Sequence, residues 1–269
     1  MAEAVIREYC PDDVPELIGL WITVFGDTES FCRNFFEALP DMGSGVVAEL
    51  DGRIVGAAYT LNGQELIYGT EKTVVGYIYG VAVFEEYRHR GIGERLVKAV
   101  YELSERREAK IVTTLPAEKS LYAWYERLVG LKCSLRCEKL CLKACASEAV
   151  MPLSSTEYMI YRENMLRDVP HIHPSNYALE FERQLLCEYG GGFYLSESGL
   201  CAAYSENGRA IIREVISASS DASLKAARAV GAYLGADECE VRLPSLNGTE
   251  YVASDMPLPP DCVWNLTFD

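Results

Sequence analysis

Residues 86–95 read EYRHRGIGER, which sets three arginines and a histidine around two glycines. The turn follows an apolar stretch, GYIYGVAVF, that reads as a strand, and it opens an amphipathic helix over about Ile92–Arg107. A strand entering such a turn gathers backbone N–H groups with no partner inside the helix around one point, and an anion suits that point. Gly91 and Gly93 let the backbone come close, while Arg88 and Arg90 supply the charge that a pyrophosphate needs. The turn lacks the Gly-Lys-Ser/Thr of a Walker loop, and Leu96 stands where a dinucleotide fingerprint has its third glycine. Taken alone, it would serve equally as a solvated basic turn.

Other reactive residues are less pointed. Cys133, Cys137, Cys141 and Cys145 recur every fourth residue, so on an extended strand they would share one packing face. With no histidine near them in sequence, they are not expected to bind metal. The ten cysteines are read as mostly buried free thiols. His171 and His173 lie between two prolines and are expected in a surface loop.

The formal net charge of −15 argues against nucleic acid or an anionic membrane as partner and favours a cationic one. No run is apolar for long enough to span a bilayer, and the N-terminal segment lacks the features of a signal peptide, so a cytoplasmic protein is expected.

The elements that must position the turn read as mixed α/β. A strand over residues 4–10 precedes two helices, and then come a hairpin about Asp51-Gly52, the apolar strand, the turn and its helix. Strand AKIVTTLP, helix EKSLYAWYERL and a strand from Leu131 follow. From Met151 the order starts over, with strand 209–217, helix 221–236 and strand 237–244 suggesting a diverged repeat. Residues 1–150 carry 17 Lys+Arg against 23 Asp+Glu, and residues 151–269 carry 8 against 17, so the cations sit with the turn.

Arg88-x-x-Gly91-x-Gly93 after its strand closely resembles motif A of the GNAT superfamily of acyl-CoA N-acyltransferases, and the hairpin and the helix SLYAWYERLVGLK sit where that family has them. The resemblance implies a GNAT fold, a mixed sheet flanked by helices, over residues 1–148, and a degenerate GNAT-like domain over 149–269. It implies acetyl-CoA as co-substrate, held by Val81, Ala82 and Val83 on the strand and by Arg88, His89, Arg90, Gly91, Ile92, Gly93 and Glu94 in the turn, with Tyr122 alongside. Tyr125 matches the tyrosine that protonates the departing thiolate. Gly130 follows it by five residues where the family has four, so Tyr122 is kept as an alternative donor.

Trp21, Phe25, Asp27, Phe31 and Tyr79 would line the pocket for the acceptor, a small-molecule or peptide amine. Glu85 and Glu86 are candidates for the base that deprotonates it. A sensor or scaffold that binds CoA without turnover is the competing expectation.

Overall fold

The computed structural model describes residues 3–268 and divides the chain into two compact units. The first runs through Leu66 and continues over Lys72–Ser134 and Tyr251–Leu258. The second comprises Ile67–Glu71, Leu135–Glu250 and the chain from Pro259 onward.

The first unit begins with β1 (Val5–Glu8), helices α1 (Val14–Phe25) and α2 (Glu29–Met42), and β2 (Gly43–Leu50). Next come β3 (Arg53–Tyr68), β4 (Glu71–Val83), α3 (Ile92–Arg106), β5 (Ile111–Thr114) and α4 (Lys119–Val129). Its strands lie in the order β1-β2-β3-β4-β5, and beyond β5 comes β13 (Thr249–Ser254) from near the chain's C-terminal end. β4 and β5 run parallel, joined by α3.

The sheet has apolar residues on both faces because both are covered. On one, Leu96, Val97, Val100 and Leu103 of α3 pack with Ile78, Val46 and Ala58. On the other, α1 and α2 bring Trp21, Phe31, Phe35 and Phe36 against Tyr59 and Tyr79. The α2 start is fixed by Thr28, whose side chain accepts the Phe31 N–H at 3.1 Å.

The second unit holds most of β6 (Lys132–Lys143), then β7 (Val150–Leu153), α5 (Ser155–Met165), β8 (His171–Pro174), α6 (Asn176–Glu188) and β9 (Gly192–Ser196). β10 (Leu200–Glu206), β11 (Arg209–Ile216), α7 (Ser220–Tyr233) and β12 (Glu238–Pro244) complete it. The order β7-β9-β10-β11-β12 repeats that of the first unit, down to the parallel last pair joined by a helix. Four residue pairs join β4 to β5, from Val75↔Ile111 to Ile78↔Thr114, and four join β11 to β12, from Arg209↔Glu238 to Ile212↔Val241. The second half is therefore an α/β repeat of the first, as the sequence suggested.

Three expectations differ from what is found. The units do not divide at 148/149: residues 135–148 go with the second because β6 pairs with β12, and Tyr251–Leu258 go with the first because β13 pairs with β5. His171 and His173 lie in β8 rather than a loop. His171 is buried, its Nδ1 2.7 Å from the Val169 carbonyl and its Nε2 3.2 Å from Glu163, so polar partners take it inside. The cysteine ladder makes no common packing face: Cys137 is buried, but Cys141 and Cys145 are exposed, Cys145 beyond the end of β6. All ten thiols are free, and half of them are buried.

Candidate active site

β4 and β5 part after the Ile78↔Thr114 pair, while β4 continues to Val83. Along that continuation, Phe84 N–H donates to the Val55 carbonyl at 3.1 Å, and the Ala82 carbonyl lies against Gly56, so these alternate positions spend their polar groups on β3. Val81 and Val83 therefore turn theirs to the other edge. The Val83 carbonyl is indeed met there by Arg88 Nε at 3.1 Å. Gly80 interrupts the strand with φ +59, and a Cβ there would lie 2.8 Å from the Trp21 ring. A glycine within a strand marks such a bulge or close approach; this was the overlooked signal in GYIYGVAVF.

The turn after β4 places His89 at φ +61 and Gly91 at φ +75. A Cβ on Gly91 would meet nothing within 4 Å, so the left-handed backbone, and not crowding, calls for glycine. Gly91 is the N-cap of α3, and no side chain caps that end. The first bond closing the helix runs from Arg95 N–H to the Gly91 carbonyl, so Ile92, Gly93 and Glu94 have no acceptor within the helix. α2, α5, α6 and α7 are each capped by a Thr or Ser side chain, whereas α1 and α4, like α3, have no side-chain cap. Arg88 and Arg90 are exposed beside the uncapped turn, with Arg90 lying over the Tyr87 ring and donating to the Glu86 carbonyl at 2.8 Å. Glu94 faces Arg127 at 3.0 Å. Uncapped N–H groups, two arginines and an open strand edge form a cradle suited to a pyrophosphate and an extended, amide-bearing chain.

Tyr125 of α4 is 5 % exposed, packed edge-on to Trp124 and in one apolar cluster with Ile78. Burial pushes its phenol up to about 12. A side-chain hydrogen bond with Thr114, whose hydroxyl donates to the Ile78 carbonyl at 3.1 Å, offsets part of that rise. Thr114, absent from the sequence expectations, thus ties Tyr125 to the point where β4 and β5 diverge. Tyr122 OH donates to the Tyr251 carbonyl of β13 at 2.9 Å.

The expected acceptor residues fall into two sets. Trp21 and Phe31 are buried in the aromatic cluster, while Phe25 is 44 % exposed and packs 5.1 Å from Trp21. Asp27 accepts the Trp21 indole N–H at 2.8 Å, which fixes the ring over Gly80. Tyr79 joins the cluster from β4, 5.8 Å from Trp21. Phe35, Phe36 and Tyr59 complete it, and nothing in their spacing separates them from ordinary core. Glu85 and Glu86 are exposed just past β4.

In the second unit the corresponding place is filled. Two residues beyond the last paired position, where the first unit has Gly80, stands Glu214, which is fully buried. It accepts Tyr158 OH at 2.6 Å and Arg162 Nε and Nη2 at 2.9 and 3.1 Å. The α7 start carries Asp221 in its first turn, and Ser219 accepts the Ala222 N–H.

Residues 5–128 match the family model described as an acetyltransferase (GNAT) domain. Among solved structures, the chain is similar to a GCN5-related N-acetyltransferase from Kribbella flavida (19 % identity, 94 % of this chain and 71 % of that one, TM-score 0.69). A probable N-acyltransferase from Enterococcus faecalis is similar at 13 % identity, 94 % and 72 % coverage and TM-score 0.72. So is a tandem GNAT protein from the clavulanic acid biosynthesis pathway, at 12 % identity over 96 % of this chain and all of that one, TM-score 0.59. At these identities the likeness is one of fold. No curated protein matches the sequence.

Proposed function

We propose that this chain, whose residues 5–128 match the acetyltransferase (GNAT) domain model, is an N-acetyltransferase that moves an acetyl group from acetyl-CoA to a primary amine. The observation that carries the reading is the uncapped N-terminus of α3, framed by Arg88 and Arg90 beside the open edge of β4. Residues 88–94 would take the pyrophosphate, and Val81 and Val83 the pantetheine arm, with Ala82 between them turned to β3. The amine, deprotonated before attack, adds to the thioester carbonyl; as the C–S bond breaks the thiolate takes a proton from Tyr125, and the proton then shed by the acylated nitrogen restores the phenol. The high proton affinity of that phenol keeps it in its donor form at neutral pH.

The acceptor would lie towards Tyr79, Phe25 and the aromatic cluster. A net charge of −15 favours a cationic amine, small molecule or peptide, in the cytoplasm, and with such an amine KM should rise with added salt. A second reading, a CoA-binding sensor without turnover, is favoured by one observation: Tyr122 spends its hydroxyl proton on the Tyr251 carbonyl, while Tyr125 is buried beside Thr114.

Calorimetric titration with CoA tests the cofactor site. Arg88→Ala is expected to weaken binding about ten- to a hundredfold by removing a charge-assisted contact, and Gly91→Glu to do the same by adding a carboxylate and straining the turn. Titrations unchanged in both variants would remove the assignment. Thiol release from acetyl-CoA over a panel of amines and peptides separates enzyme from sensor.

A further inference from the structure

A cleft of about 610 Å³ lies wholly within the second unit, on the face of its sheet opposite α7. That is a size suited to a metabolite. Ile212 packs towards α7 as Ile78 packs towards α3, so by strand register Arg213 occupies the place of Tyr79. The cleft therefore opens on the face that, in the first unit, would receive the acceptor.

Its lining differs in kind from an aromatic floor. Lys139 of β6, Arg209 and Arg213 of β11 and Arg242 of β12 converge on it, against the carboxylates of Glu206 and Glu240. Residues 151–269 hold eight Lys and Arg against 17 Asp and Glu, yet three of those eight cations line this one cleft.

Two of the arginines are held from behind. Arg213, only 9 % exposed, donates to the fully buried Glu182 at 2.9 Å and lies over the Tyr204 ring at 5.1 Å. Arg209 meets Glu238 at 3.1 Å. Neither Glu182 nor Glu238 lines the cleft, so these carboxylates orient the guanidinium groups without standing between them and a ligand. Lys139 is 3.1 Å from Glu240, and that pair sits within the lining. Ordering a buried arginine is costly unless its geometry is used, and guanidinium groups suit paired oxygen anions.

We propose that this cleft is a second ligand site, for a small molecule carrying two anionic oxygen groups, whether phosphates or carboxylates. The unit would then have lost its cofactor turn and kept the acceptor-side concavity as an anion receptor.

The test is calorimetric titration of the full chain with pyrophosphate and, separately, with succinate, in wild type and in Arg88→Ala, Arg209→Glu and Arg242→Gln. One or both probes should bind at a site indifferent to Arg88→Ala and weakened about tenfold or more by Arg209→Glu and by Arg242→Gln. The better probe identifies the anion. Arg209 is exposed, and an unchanged circular dichroism spectrum and melting temperature would show each variant folded. Binding that only Arg88→Ala abolishes belongs to the glycine turn and overturns the proposal. So does binding of neither probe, or binding that survives the changes at Arg209 and Arg242. A wild-type chain that binds one of these probes here but takes up no CoA would sink the cofactor assignment alone.

Discussion

On the proposed reading, the proton transfer of the first unit falls to Tyr125, which lies beside Thr114. If Tyr125 delivers the proton to the leaving thiolate, Tyr125→Phe should lower kcat about 100-fold or more with little change in the apparent affinity for acetyl-CoA. Thr114→Val, which keeps the side-chain shape but frees the phenol, should move kcat while leaving CoA titrations alone. If Tyr122→Phe alone slows turnover, the donor sits one helical turn earlier.

The same phenol sets a pH dependence. Tyr125 and Tyr101 are both raised to about 12, mainly by burial, with a hydrogen bond to Asp255 adding for Tyr101. In the unfolded chain a phenol ionises near 10. Their contribution to stability is therefore complete below pH 10 and is lost as pH rises towards 12. Urea midpoints should hold steady up to about pH 9 and fall between about pH 10 and 12, less steeply in Tyr125→Phe.

At the level of elements, β4, the glycine turn and α3 were legible because each is locally encoded. The α3 helix was expected over about 92–107 and is found over Ile92–Arg106, and the strand, helix and strand of 209–244 lie within a few residues of their expected ends. The elements that escaped depend on distant partners. β8 is bracketed by prolines, which only end a strand this short, and its burial rests on Glu163 from α5. Trp21 and Phe31 could be assigned to a pocket or to core with equal right, because helical periodicity does not distinguish them. Gly80 was visible but unused.

β13 was unreadable as a part of the first unit, since its partner β5 lies far back in the chain. Asp255, just after it, accepts Tyr101 OH and Val112 N–H, both at 2.9 Å. Asp255→Ala should cost about 2–3 kcal/mol in urea unfolding, as two charge-assisted bonds to one carboxylate are lost. In the second unit, Arg162→Met should cost about 3–5 kcal/mol, because it leaves Glu214 buried without its cation.

For the molecule as a whole, the two copies of the repeat differ where the proposed cofactor site would lie. One copy keeps the glycine turn and an uncapped helix; the other closes the corresponding helix with Ser219 and fills the bulge position with an ion pair. Calorimetry should accordingly find one CoA per chain, and a second site would mean that the capped helix of the second unit still accepts a pyrophosphate. A fragment ending at residue 148 should lack the near-ultraviolet circular dichroism of a packed core, because it lacks Tyr251–Leu258. Restoring residues 249–258 through a flexible linker should recover that signal. A fragment that folds without them would show β13 to be dispensable.

The return of β13 also fixes an order in time. On the ribosome, β5 is made long before the strand that borders it, so the first unit leaves the exit tunnel with one sheet edge bare and must wait while the whole second repeat is translated. An exposed edge is a template for wrong pairing, and the nascent chain is most vulnerable in that interval. Cofactor competence should appear late, as a step once residue 254 has cleared the tunnel, and not when the residues of the cradle themselves emerge.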